Sequence, residues 1–413
     1  IIYRTLINIL IILLPFIILY RIIIGKEHKF RFVEKLGFFT KKKIKGNLVW
    51  FHGSSVGEIK SVIPLIEKIE KKNDVVQILV TSNTLSSSKV LENYNLKKTI
   101  HQFFPIDNNF VIKKFLNYWK PVSVMLIESE IWPNVILETK KRDIPLVLIN
   151  GRITEKTYKK WIKLGRFKNY IFEKFDLCLS QNNETNSYLK KLGSKNIFNK
   201  GNLKYADSKT KYKFKNKLLL NKFFKKKKKI FVCVSTHEKE EEFCAKLHLK
   251  LKKDFPTVLT VIIPRHVDRT DDIIFKLRNF GLNIHKHTKK LNSKDDVDLY
   301  LVDTFGETKF FLRMSQIAFL GGSLIKHGGQ NPIEAAKCNC KVFHGPYISN
   351  FTEVYNLLSR YKISTLIKNE PQALNIIKRN FKRNNNIKTN MLNINLLGKK
   401  ILNENYKLIA KYL

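Results

Sequence analysis

What most constrains this chain is the rhythm of its apolar residues. Short runs such as Leu48–Phe51, Val76–Thr81, Val122–Ile127 and Leu146–Asn150 are apolar and β-branched without alternation. Strands that read this way are buried on both faces, as in a parallel sheet. Amphipathic segments lie between them, including Glu58–Lys71 and Asn109–Trp119, and Asp176–Ser180 adds a further strand. A β-α-β-α order implies a parallel sheet with helices on both faces. From Ala206 to Lys229 the pattern gives way to a lysine-dense stretch containing Lys225 to Lys229, which predicts an interdomain linker with a solvated charge run. A second series follows: Ile230–Ser235, Val258–Ile263, Leu299–Val302, Ile317–Leu320 and Lys341–Phe343. With 413 residues, more than one core usually serves, two α/β domains are expected. Such a pair suits a nucleotide-sugar transferase and equally a periplasmic-type binding protein.

The formal charge is +43, from 77 Lys and Arg against 34 Asp and Glu. That balance often marks a nucleic-acid partner. Here the lysines are spread over the whole chain, alongside abundant asparagine and isoleucine, and the aromatic-interleaved basic motifs of nucleic-acid modules are missing. No nucleic-acid partner is expected, whereas residence beside anionic lipid is. Thr5 to Tyr20 is uncharged and nearly all Ile, Leu and Phe, with Arg21, Lys26, Lys29 and Arg31 directly after it. This predicts an amino-terminal membrane anchor over residues 1–25, with the basic cluster holding the rest in the cytoplasm. The five cysteines (178, 233, 244, 338 and 340) lack paired metal spacing and fit a reduced setting. The expected divisions are an anchor (1–25), a first Rossmann-like domain (26–205), a basic linker (206–229) and a second Rossmann-like domain with terminal helices (230–413).

Candidate chemistry gathers where strands end. Trp50-Phe-His-Gly-Ser-Ser-Val-Gly-Glu58 is a strand, a small-residue turn and a carboxylate. Glycines at 53 and 57 are expected to turn the backbone and leave room for a substrate. Glu58, sheltered from water at the carboxyl edge of a sheet, suits a general base; as the first acidic residue of a helix it equally suits a macrodipole partner. Glu128-Ser-Glu130-Ile-Trp-Pro-Asn134 follows Val122–Ile127, so both carboxylates emerge at the same edge. Gly201-Asn-Leu-Lys204 brings an ammonium able to neutralise a departing phosphate. In the second series Pro264-Arg265-His266 closes a strand, with a guanidinium suited to a phosphate. Gly328-Gly-Gln-Asn-Pro-Ile-Glu334 leads a glycine-rich loop into a helix, which suits an anion, while Glu334 suits ribose hydroxyls. His237, in Ser235-Thr-His-Glu238, reads as a hydrogen-bonding or substrate group. His or Cys pairs at zinc spacing, a Walker loop and a GxGxxG fingerprint are all missing, so no metal or cofactor is expected.

Taken in order, these motifs resemble the Kdo (3-deoxy-D-manno-octulosonic acid) transferases of lipopolysaccharide synthesis nearly end to end. The resemblance rests on His52 to Glu58, Glu128 to Asn134, Gly201 to Lys204, Ser235 to Glu238 and Pro264 to His266. Asp303-Thr-Phe-Gly-Glu307, Gly321-Gly-Ser323 and Gly329 to Glu334 complete it. It implies a GT-B architecture, two Rossmann-like domains facing a cleft, with an amino-terminal anchor at the inner membrane and a cytosolic active site. It further implies CMP-Kdo as donor, a lipid A precursor (lipid IVA) as acceptor, and metal-independent inversion. By that resemblance Glu58 is the general base, and Glu128 and Lys204 stabilise the transition state, with Glu130 a companion. Pro264, Arg265, Phe305, Gly306, Glu307, Asn331, Pro332, Ile333 and Glu334 match positions that contact CMP. Phe305 departs from a usual methionine, Gln330 from a common histidine and Thr308 from a common leucine, while Gly53 and Gly151 stand where alanine is frequent. Other readings of the residues are a different GT-B nucleotide-sugar transferase or epimerase, and a non-catalytic basic module tethered to a membrane.

Overall fold

The computed structural model describes residues 2–206, 217–227, 229–292, 295–382 and 388–413. They form two compact units, one from Ile1–Tyr212 with Leu396–Leu413 and the other from Lys213–Asn395. The first unit holds a seven-stranded sheet in the order β3-β2-β1-β4-β5-β6-β7. Its strands are β1 (Asn47–His52), β2 (Val75–Ser82), β3 (Thr99–Phe103), β4 (Ser123–Ile127), β5 (Leu146–Gly151), β6 (Leu177–Ser180) and β7 (Ile197–Asn199). The second unit holds another seven-stranded sheet, in the order β10-β11-β9-β8-β12-β13-β14. Those strands are β8 (Lys229–Thr236), β9 (Val258–Pro264), β10 (Ile284–Lys286), β11 (Leu299–Leu301), β12 (Ile317–Leu320), β13 (Lys341–His344) and β14 (Ser364–Leu366). The pairings are parallel in both sheets, as the unbroken apolar runs require. In the first sheet Leu48, Val49, Trp50 and Phe51 are fully buried, their neighbours on β4 equally so. The strand order turns about the first strand of each unit, between β1 and β4 in one sheet and between β8 and β12 in the other. Those are the points where an open α/β sheet leaves a crevice at its carboxyl edge.

Two expected boundaries need correction. The lysine-dense stretch is not a linker throughout. Residues 207–216 and 228 lie outside the described residues, but Lys217–Lys226 is a helix. Its Leu220, Phe223 and Phe224 are buried in the core of the second unit among Tyr300, Phe310 and Phe311. Lys222, Lys225 and Lys226 share the helix with them and mask an apolar stripe of helical period. The second unit also stops short of Leu413, because residues from Leu396 onward group with the first. The helix Lys388–Ile409 lies so close to the Leu203–Tyr205 turn that a Cβ on Gly398 would sit 2.1 Å from the Tyr205 carbonyl oxygen.

The amino end does form a helix, Ile2–Ile23, with Pro15 inside it. Among the described residues no helix is long and apolar enough to cross a membrane, so the expected span is not shown. This helix is tied to the first unit: the Tyr3 hydroxyl donates to Asp107 Oδ2 at 2.6 Å, and Ile18 is buried. The five cysteines are free and buried.

Candidate active site

At the carboxyl end of β1 the chain turns through Ser54 and starts the helix Val56–Ile69. Ser55 is its N-cap and Glu58 its N3 residue, and the two close a capping box. Glu58 Oε2 accepts from the Ser54 and Ser55 amides at 2.6 and 3.4 Å, and Oε1 accepts from Ser55 Oγ at 3.0 Å. The structural reading of Glu58 as a helix-start carboxylate is therefore realised. It does not displace the chemical one. Partial burial, then the charges of Glu130 and Glu128, raise the Glu58 carboxyl to about 7, against the lowering pull of the Ser54 and Ser55 hydrogen bonds. Neither glycine of this turn has a left-handed backbone. Gly57 instead occupies the first helical turn, where a Cβ would find no atom nearer than 3.9 Å.

Glu128 and Glu130 leave the end of β4, across the switch point from β1. Glu128 is buried and has a left-handed backbone with φ 54°, rare for a glutamate. That turn carries Oε1 to 2.5 Å from Lys204 Nζ and 3.4 Å from Asn150 Nδ2. Asn150, itself left-handed at φ 52°, also accepts the Leu203 amide at 2.9 Å through Oδ1. One side chain at the end of β5 thus fixes both the carboxylate and the turn that presents its ammonium partner. Glu130 takes the other direction. Its Oε2 lies 3.0 Å from His52 Nε2 and accepts from Trp132 Nε1 at 2.7 Å. Burial alone would raise the Glu130 carboxyl, but the His52 hydrogen bond and charge, with Trp132 and Ser54, outweigh it and hold the group below its ordinary value. His52 is fully buried, stacked on Phe104 at 3.6 Å, with Nδ1 3.0 Å from Thr81 Oγ1. Ser54 bonds Glu58 through its amide and Glu130 through its hydroxyl.

In the second unit Pro264 ends β9 and Arg265 stands exposed just beyond, its amide bonded to the Thr236 carbonyl at 3.0 Å. Phe305 is 74% exposed, and Gly306 has a left-handed φ of 91°. Glu307 lies 2.9 Å from His287 Nε2 and accepts from Thr304 Oγ1; the His287 hydrogen bond, opposed by burial, holds its carboxyl low. The glycine loop is not the open anion cradle expected of it. Gly329 donates to the Gly322 carbonyl at 2.8 Å, and Asn331 Oδ1 accepts the Ile333 amide at 3.1 Å. The helix that follows Pro332, Ile333–Lys337, has only five residues and offers little dipole. Asn331 and Glu334 are half-buried beside it.

Sequence reasoning left His52, Asn150, Trp132 and Glu240 without roles. Asn150 was visible as a polar residue ending an apolar strand. Glu240 was not, since its task is to accept the amides of Gly322, Ser323 and Leu324 at 2.7, 3.1 and 3.0 Å from more than 80 positions earlier in the chain.

Two doubly wound parallel sheets, each with polar groups crowded at its switch point, define an α/β protein of GT-B-like architecture. Among solved structures the fold is similar to a UDP-N-acetylglucosamine 2-epimerase at TM-score 0.60 and 15% identity, covering 90% of this chain and 97% of that one. A putative epimerase of the same kind from Listeria monocytogenes gives TM-score 0.58 at 13% identity, over 86% and 95%. At such identities the likeness is one of fold alone. Sequence comparison is sharper: residues 30–207 match the family model described as 3-deoxy-D-manno-octulosonic-acid transferase (kdotransferase). A 3-deoxy-D-manno-octulosonic acid transferase of Rickettsia bellii is 33% identical over 96% of this chain and 95% of its own length. One from Haemophilus influenzae is 27% identical over 80% and 78%. The chain belongs to the Kdo transferase family.

Proposed function

We propose that this protein transfers Kdo from CMP-Kdo to a sugar hydroxyl of a lipid A precursor, lipid IVA, with inversion and release of CMP. The observation that carries this reading is the carboxylate cluster at the first switch point. Glu58 is held there by three hydrogen bonds yet titrates at about 7, so near neutral pH it can accept a proton and still be ionised in a useful fraction. The first unit supplies the base, Glu58, and an ion pair, Glu128 with Lys204, for charge that develops as the anomeric bond breaks. The second supplies Pro264, Arg265, Phe305 to Glu307 and Asn331 to Glu334 for the cytidylate. CMP leaves as a phosphate monoester anion, whose charge Arg265 can offset, while the acceptor hydroxyl attacks the opposite face of the donor carbon and loses its proton to Glu58.

A lipid acceptor places the enzyme at a bilayer, and we place it on the cytoplasmic side of the inner membrane. Support comes from the exposed Phe16, Leu19, Tyr20 and Ile23 on the first helix and from Lys26 and Lys29 after it. Transfer assayed with CMP-Kdo and tetraacyl lipid A precursor tests the reading, with calorimetric binding of CMP and of UDP beside it. Turnover with preference for CMP is expected. Preference for UDP would assign the fold to another sugar-nucleotide enzyme, and binding without turnover would leave a tethered binding module.

A further inference from the structure

The second switch point holds a group that none of these assignments uses. His237 follows the end of β8, opposite the end of β12 where Gly321, Gly322 and Ser323 turn. Its Nδ1 lies 3.0 Å from the Ser235 carbonyl oxygen. A carbonyl only accepts, so Nδ1 carries the hydrogen. The Glu240 carboxylate is 3.7 Å from the same nitrogen, and its Oε2 accepts the His237 amide at 3.0 Å. Glu240 is itself pinned: burial would raise its carboxyl, but bonds from His237 and the loop amides hold it low.

With one edge of the ring fixed, Nε2 is the free end. It is buried and has no hydrogen-bond partner among the described residues, in a side chain whose residue is only 8% exposed. An orphaned buried nitrogen costs free energy unless something pairs with it. The space beside this ring is kept by Gly322, left-handed at φ 65°. A Cβ there would lie 3.2 Å from His237 Cε1, 3.3 Å from His327 Nδ1 and 3.4 Å from Gln330 Nε2. Three polar side chains thus converge on a bare Cα at the sheet's crevice. Charges of both signs lie nearby, Glu240 on one side and Arg265 on the other. His327 lies 4.2 Å from the His237 ring, and burial, then His237 and Arg265, keep its imidazole below the ordinary value. With acceptors on the Nδ1 side, Nε2 is the end left to bind a ligand, and with a hydrogen on it the ring would donate to an anionic oxygen.

We propose that His237 is a donor-binding residue whose Nε2 takes an anionic oxygen of a sugar-acid nucleoside monophosphate, in a pocket that Gly322 keeps open and His327 and Gln330 flank. The assignment rests on the proposed use of CMP-Kdo, which carries two such groups, the phosphate and the sugar carboxylate. Calorimetric titration of CMP and the KM for CMP-Kdo, in intact wild type and His237→Ala, separate them. If the oxygen is the phosphate's, CMP affinity falls about ten-fold or more, as loss of a charged hydrogen bond requires. If it is the carboxylate's, CMP affinity holds and the KM for CMP-Kdo rises by about the same factor. His237→Phe keeps the ring volume and gives the same readouts should the alanine variant fail to fold. CMP affinity and KM both within about two-fold of wild type, or a fall in kcat alone, overturns the assignment while the donor reading stands. A wild type that neither binds CMP nor turns over CMP-Kdo overturns both.

Discussion

Glu58 shows how one carboxylate can start a helix and still be chemically poised. The same donors that complete the capping box stabilise its charge, while burial first, and then the two neighbouring carboxylates, destabilise it more. Glutamine also serves at the N3 position of such a box, so Glu58→Gln should fold normally while turnover falls by about 10²–10⁴-fold, the usual contribution of a general base. Near-normal transfer by that variant would refute the role. In the wild type the base must be ionised, so kcat/KM should climb with pH through a midpoint at about 7. The same shift fixes a sign for stability. Between the ordinary value of 4.5 and about 7 the folded state holds a proton that the unfolded chain releases, so this group's contribution falls as pH rises through that window. Glu58→Gln should therefore melt no lower than wild type at pH 8, a thermal-unfolding measurement. Glu130→Gln removes the larger of the two repelling charges and should move the acid limb of the pH profile downward. A limb that stays put would mean that burial and Glu128 set the Glu58 pKa without Glu130.

At the level of elements, the helix Lys217–Lys226 tests how charge can hide a core. Phe224 is 1% exposed and packs against Tyr300 and Phe311 at ring distances of 5.2 and 5.6 Å. Phe224→Ala should cost about 3–5 kcal/mol in urea unfolding, and the exposed Lys225→Ala about 0.5 or less. Equal, small effects would restore the solvated linker. The strands show the same limit of legibility from the other side. Every strand expected from a continuous apolar run is present within a residue or two. The four that were missed, β3, β7, β10 and β14, are the outer strands of the two sheets. Ile197-Phe-Asn199 and Ile284-His-Lys286 are three residues long and largely exposed or half-exposed, so burial never purified their composition. Placement at a sheet edge was legible where a residue follows a central strand directly, as with Glu58, Glu128 and Arg265. The site was illegible where a role depends on partners distant in sequence, as with His52 and Glu130 or Asn150 and Leu203.

For the molecule as a whole, the informative fact is that the chain leaves the first unit, builds the second, and comes back. The returning helix packs on the first unit through Lys68 Nζ to Asn403 Oδ1 at 2.6 Å, Lys68 over the Tyr406 ring and Tyr412 to the Asp176 carbonyl. At Gly398 it lies against the Leu203–Tyr205 turn, and the same turn packs against the Val56–Ile69 helix that carries Glu58. Lys204 sits in the middle of that turn and reaches Glu128. The carboxyl end of the chain is thus a clamp on the ammonium of the candidate site, made possible by a residue without a side chain. Gly398→Val must push the helix off the turn, an overpacking that costs about 1–3 kcal/mol. Its chemical consequence should be selective. Transfer should fall at least ten-fold as the Lys204–Glu128 pair loosens, whereas CMP affinity should stay within about two-fold, because the residues assigned to cytidylate all belong to the second unit. Calorimetry with CMP beside a transfer assay reads both. Parallel loss of the two would mean that the return helix supports general folding, and an unchanged transfer rate would show that Lys204 needs no clamp.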